Sequence, residues 1–148
     1  GSDEGGSFAA FDSGDVIGVY ADLDNDKLYF SKNGTLQNSG TGLNLDVAGS
    51  PTYFFAVGDN HGSNAATFEV NFGNPVSALS SAVSDGTYGS FEYSTTITGD
   101  SASKTFKALN TKNLAEFGKY GLYNNRRSIS TLSNSNMEWN RKCFICNF

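Results

Sequence analysis

Several residue groups in this chain have types and spacings that could support chemistry. Asp22-x-Asp24-x-Asp26 has the alternate carboxylates of a calcium loop. An EF-hand also needs Gly at its sixth position and a bidentate Glu at its twelfth, and here those positions are Lys27 and Asn33. A hairpin turn with solvated carboxylates is the simpler reading. Glycoside hydrolysis needs two carboxyl groups facing each other across a cleft. Asp15, Asp22, Asp59 and Glu69 qualify by type, but no spacing marks a pair. His61, the single histidine, lies with Asp59 and Ser63 in one short stretch, whereas members of a Ser-His-Asp triad usually come from separate elements. Cys143-x-x-Cys146 is one half of a four-ligand zinc site, with no second half in the chain. It reads as two thiols, or as a zinc site shared between symmetric subunits. No phosphate-binding Gly-x-x-x-x-Gly-Lys-Ser/Thr loop is present. The expectation from these residues is no catalytic set, no cofactor and no metal centre within the chain, with the shared zinc site as the alternative.

The elements around these residues read as strands. In the first half of the stretch Asp15–Gly34 the chain alternates, with Ile17, Val19, Ala21 and Leu23 on one face and Gly18, Tyr20 and Asp22 on the other. That is the period of a half-buried strand. The aliphatic face is expected to point inward, together with Leu28 and Phe30 of the next strand. Tyr20, Tyr29 and Tyr53 are then candidates for exposed aromatics that stack on sugars or pack against a protein. Asp24-Asn25-Asp26 gives the first turn and Asn33-Gly34 the second, the latter a strong hairpin signal. Leu43 and Leu45 suggest a short strand. Tyr53–Asn60 is an apolar run expected to form a strand buried on both faces. Thr67–Gly73 alternates, with Phe68, Val70 and Phe72 inward and Glu69 outward. Pro75–Asp85, rich in Ser and Ala, reads as flexible, and Ser94–Thr105 as a link.

These spaced motifs carry a family resemblance. Gly14-Asp15-Val16-Ile17-Gly18-Val19, Asp22-Leu23-Asp24, Leu28-Tyr29-Phe30-Ser31-Lys32-Asn33-Gly34, Tyr53-Phe54-Phe55-Ala56-Val57-Gly58 and Asn71-Phe72-Gly73 resemble a SPRY domain in their order. Phe55 stands where that family commonly has Pro. The later block, from Asp85-Gly86-Thr87-Tyr88 to Ala108-Leu109-Asn110-Thr111-Lys112-Asn113-Leu114, resembles the extension that follows the SPRY core in bacteriophage tail and structural proteins. The resemblance covers about residues 8–118. It implies an all-β, antiparallel, concanavalin-like β-sandwich, represented by its second half, with an apolar face that needs a partner.

Three segments are expected: 1–74 as the SPRY-like part, 75–118 as the phage-type extension and 119–148 as a basic tail. The resemblance implies a non-catalytic binding or structural module of a virion, in a phage tail. Its partners would be a protein or a host-surface glycan, further copies of itself, or other virion subunits. Sandwich domains usually bind through loops at one end, which singles out Asn33, Asp59, Asn60 and His61. The alternatives are a carbohydrate-active enzyme on a lectin-like sandwich and an adaptor-type SPRY domain of the eukaryotic kind.

Charge sharpens this reading. Residues 1–100 carry 13 acidic and 2 basic side chains, a net of −11, while residues 101–148 carry 2 acidic and 8 basic, a net of +6. The acidic body argues against nucleic acid as a partner. No run of 18 apolar residues exists, so no membrane-spanning helix is expected. The polar opening Gly1–Gly6 has no apolar core, so no signal peptide is expected. The absence of an initiator Met marks the chain as a candidate fragment or processed piece.

Overall fold

The computed structural model describes residues 5–45, 53–58, 66–84, 88–110, 112–113 and 144–147. Among these the protein is all-β, built mainly from antiparallel pairs. The strands are β1 (Ile17–Asp22), β2 (Lys27–Lys32), β3 (Thr35–Leu36), β4 (Leu43–Asn44), β5 (Val83–Ser84), β6 (Ser90–Phe91), β7 (Thr96–Gly99), β8 (Ala102–Thr105), β9 (Lys107–Ala108) and β10 (Phe144–Asn147). The main sheet runs β3-β2-β1-β10-β9, and β4 also pairs with β2. Two small ribbons, β5-β6 and β7-β8, complete the strand pairing. No helix among the described residues is long and apolar enough to cross a membrane.

The expected meander is present. β1 and β2 pair from Ile17 opposite Lys32 to Asp22 opposite Lys27, with Leu23–Asp26 as the turn. Asn33 and Gly34 have φ of 48° and 76°, the left-handed pair that a two-residue hairpin needs. A side chain at position 34 would also run into the Tyr93 ring, 2.7 Å from the nearest atom. The short strand expected near Leu43 is β4.

The inward face is the reverse of the one expected. Tyr20 and Tyr29 are 1% and 2% exposed and form the core with Phe91, Phe106 and Ala108. Phe106 lies edge-on to both tyrosines, with centroids 5.3 and 6.4 Å away. The phenol groups explain how this face can be buried. Tyr20 Oη is 3.1 Å from Ser31 Oγ, and Tyr29 Oη donates to Asp100 Oδ2 at 2.8 Å. A buried tyrosine is tolerated when its hydroxyl finds a partner. Of the opposite face, Val19 is buried, whereas Ile17, Leu28 and Phe30 are half-buried. The Phe30 ring is covered by Phe8, edge-on at 5.6 Å.

The apolar run Tyr53–Gly58 is not a strand, and Phe54 is 85% exposed. A strand buried on both faces needs neighbours on both sides, and no described strand pairs with this segment. Thr67–Gly73 keeps its alternation, with Phe68, Val70 and Phe72 half-buried and Thr67 and Glu69 exposed, but only Asn71 makes a bridge. The link Ser94–Thr105 is a hairpin, β7-β8, turning at Asp100 and Ser101 with φ of 47° and 62°. Pro75–Ser84 is also anchored. Ser77 and Ser80 bond to Glu69 and Glu92, and Val83–Ser84 pairs with Ser90–Phe91. Within the basic tail, residues 144–147 form a strand of the main sheet.

The later block docks on the earlier one through small residues. At Gly73, φ is +99°, and an added Cβ would lie 2.5 Å from Ala108 Cβ. The Asn residues of Ala108–Asn113 close a turn. Asn110 Oδ1 accepts from the Asn113 N–H, and Asn113 Nδ2 donates to the Ala108 carbonyl at 2.8 Å.

Candidate functional site

A cleft of about 840 Å³ opens between the segment entering β1 and the arm 66–79. Its apolar lining includes Phe11, Ile17, Phe68 and Leu79, and its acidic lining includes Asp15, Glu69 and Glu92. The size is that of an ordinary ligand site.

Asp15, Glu69 and Glu92 each anchor a piece of chain. Asp15 Oδ2 accepts the Asp12 N–H at 2.7 Å and lies 2.9 Å from Lys32 Nζ. Its Oδ1 accepts from Asn33 Nδ2 at 2.7 Å. The Asp12 amide, then Lys32 and Asn33, hold the carboxyl down at about 2. Glu69 accepts from Ser77 through both oxygens, at 2.9 Å from N–H and 2.7 Å from Oγ–H. Those two bonds also lower its pKa. Glu92 Oε2 accepts the Ser80 N–H at 2.8 Å. Asp15, Glu69 and Glu92 are thus hydrogen-bond acceptors engaged with nearby stretches of chain.

Asn33 belongs to this corner. Its backbone N–H donates to the Val16 carbonyl, its Oδ1 accepts the Val16 N–H at 2.8 Å, and its Nδ2 holds Asp15. Its side chain fastens the entry of β1 to the β2–β3 turn. Asp59, Asn60 and His61 lie outside the described residues, as do Ser63 and Cys143, and Cys146 is described by its backbone alone. Of the four loop candidates, Asn33 is the one that the described residues include.

The Asp-rich turn also differs from its expectation. Asp22 is fully buried, its Oδ1 accepts the backbone N–H groups of Asp24 and Asn25, and Lys104 Nζ lies 3.4 Å from its Oδ2. This carboxylate closes the turn from inside rather than standing in solvent. Among the described residues no group of three or more His, Cys, Asp or Glu side chains is placed to hold a metal ion.

A smaller polar recess, about 510 Å³, is lined by Ser39, Gly40, Thr41, Thr98, Asp100 and Ser101. The Asp100 N–H donates to the Gly40 carbonyl at 2.9 Å, tying the two turns together. Sequence reasoning missed this recess because its halves lie about 60 residues apart. It also missed the parts Phe11, Leu79 and Glu92 play in the cleft. The one local signal was the Phe8–Phe11 pair in an otherwise polar stretch.

Comparison with family models, curated proteins and solved structures finds no match to this chain.

Proposed function

We propose that this chain is a non-catalytic binding or structural module of the SPRY-like sandwich kind, from a phage tail or another virion protein. It contacts a protein or a host-surface glycan through its cleft and loops. The observation that carries this reading is the cleft itself, with an apolar lining and carboxylates bonded to neighbouring stretches of chain. Such a lining suits contact with an apolar or sugar face, flanked by acceptors for hydroxyl and amide donors. A general acid would need a carboxyl whose pKa is raised, and in Asp15 and Glu69 the shift is downward. The SPRY reading rests on the ordered motifs between residues 14 and 73, and the phage reading on the block from Asp85 to Leu114.

The test is retention of the full chain on immobilised host-surface glycans and surface proteins, compared with Phe11→Ala and Phe68→Ala. Retention by one of these surfaces, weakened at least tenfold by either substitution, is the expected result. Retention unaffected by both substitutions would remove the cleft from the proposal. Release of new reducing ends from a bound glycan would replace the module with an enzyme.

A further inference from the structure

The turn between β2 and β3 is built from the one Asn-Gly dipeptide of the chain. Asn33 and Gly34 are both exposed and both left-handed, with φ of 48° and 76°. Asn followed by Gly is the dipeptide most open to spontaneous deamidation, because no Cβ keeps the glycine N–H from the preceding side-chain amide. The Gly34 N–H makes no hydrogen bond among the described residues. The attacking nitrogen is therefore free.

The fold nevertheless requires this pair. A Cβ at position 34 would lie 2.7 Å from the Tyr93 ring. Asn33 is used at three points: its backbone N–H donates to the Val16 carbonyl, its Oδ1 accepts the Val16 N–H at 2.8 Å, and its Nδ2 donates to Asp15 Oδ1 at 2.7 Å. The two side-chain bonds stand against the reaction. Attack needs Cγ to swing over the Gly34 nitrogen, and loss of ammonia needs Nδ2 released from Asp15. Asp15 is in turn held by Lys32 Nζ at 2.9 Å and by the Asp12 N–H at 2.7 Å. Negative charge developing on the attacked amide would also lie beside the Asp15 carboxylate, which raises the barrier further.

We propose that Asn33 is a guarded deamidation site: its contacts to Val16 and Asp15 hold it unreacted while the corner is closed, and opening of the corner lets it convert irreversibly and unfasten the entry of β1. In the reaction the Gly34 nitrogen gives its proton to solvent and forms a bond to Asn33 Cγ. The Cγ–Nδ2 bond breaks, and Nδ2 leaves as ammonia with a proton taken from solvent. The cyclic imide that results takes up water at either carbonyl, giving aspartate or isoaspartate at position 33. Either product replaces a donor facing Asp15 with a carboxylate, and isoaspartate also lengthens the backbone of a two-residue turn. Residues 11–17 line the cleft, so conversion loosens one of its walls. The inference concerns the corner alone and holds whatever the cleft binds.

The test follows the native full chain at mildly alkaline pH, folded and in urea above its unfolding midpoint. Peptic peptide mapping by mass spectrometry reads the amide-to-acid change at Asn33 over time. Conversion is expected to be at least tenfold slower in the folded chain than in urea. Asp15→Ala removes the acceptor for Nδ2, and the folded variant should convert at least threefold faster than the folded native chain. Converted chain returned from urea to folding conditions should exchange the Val16 amide hydrogen at least tenfold faster than unreacted chain taken through the same cycle. Equal rates in the folded chain and in urea would overturn the guarding, and no conversion in urea would overturn the site. A rate unchanged by Asp15→Ala would overturn the part given to Asp15. Unchanged Val16 protection after conversion would overturn the release of β1. Should Asp15→Ala fail to fold, Lys32→Ala, which removes the cation holding Asp15, provides the same comparison.

Discussion

The β1–β2 hairpin and the segment 53–58 are both rich in aromatic residues, and the protein treats them oppositely. In the hairpin, Tyr20 and Tyr29 are almost fully enclosed and both phenols have partners. In the other segment Tyr53, Phe54 and Val57 are 44%, 85% and 40% exposed. The hairpin comes with its own neighbours, because β2, β3 and β4 follow within a few residues and Phe91 and Phe106 cover the sheet. The run at 53–58 has no described strand beside it. Apolar content alone therefore does not bury a segment. Burial needs a second surface, and its backbone groups need a ladder. The half-buried alternation at Thr67–Gly73 is intermediate between these extremes, with Asn71 as its one bridge.

The largest effects should separate these regions. Tyr29→Ala removes a buried ring and should cost about 3–5 kcal/mol, while Phe54→Ala should stay within about 0.5 kcal/mol. Urea unfolding of both variants checks this. Equal costs would mean that residues 53–58 are buried in solution, and the contrast would fail.

Asn33→Ala probes the corner that joins the hairpin to the cleft. It removes the acceptor for the Val16 N–H and the donor to Asp15, and it places Ala at φ 48°. A loss of about 1–2 kcal/mol is expected in the same unfolding experiment. Asn33→Gly should recover the turn component and not the side-chain bonds. Full recovery by Gly would reduce Asn33 to a turn residue.

The smallest effect is acid dependence at the same corner. The Asp15 carboxyl titrates at about 2 rather than 3.8. A depressed folded value stabilises the protein above the ordinary carboxylate range, and that contribution is lost as pH falls from about 4 to about 2. The Val16 amide resonance, followed by NMR, should shift with a midpoint near 2. Asp15→Asn should abolish that shift. A midpoint near 4 would mean that Asp12, Lys32 and Asn33 do not hold the carboxylate in solution.

Much of the local structure was legible in the residues themselves. Alternation marked β1 and β2, and Asp24–Asp26 and Asn33-Gly34 marked their turns, because turn chemistry depends on neighbouring residues alone. The hairpin at Thr96–Thr105 was hidden, since Thr and Ser suit both strands and loops. Of the site, Asp15 and Glu69 were recognised by type, but the cleft they line was not, because its walls come from residues 11–17, 66–79 and 92.

The sequence by itself determined the strands of the β1–β2 hairpin and its two turns. The tertiary structure decided which face of β1 and β2 is the core. Period-two alternation defines two faces and does not rank them when one carries aliphatic residues and the other tyrosines. The choice fell to the tyrosine face because Phe91, Phe106 and Ala108 pack there, and because Ser31 and Asp100 satisfy the hydroxyls. It also decided the fate of the apolar run at Tyr53, since a strand exists only where another backbone pairs with it.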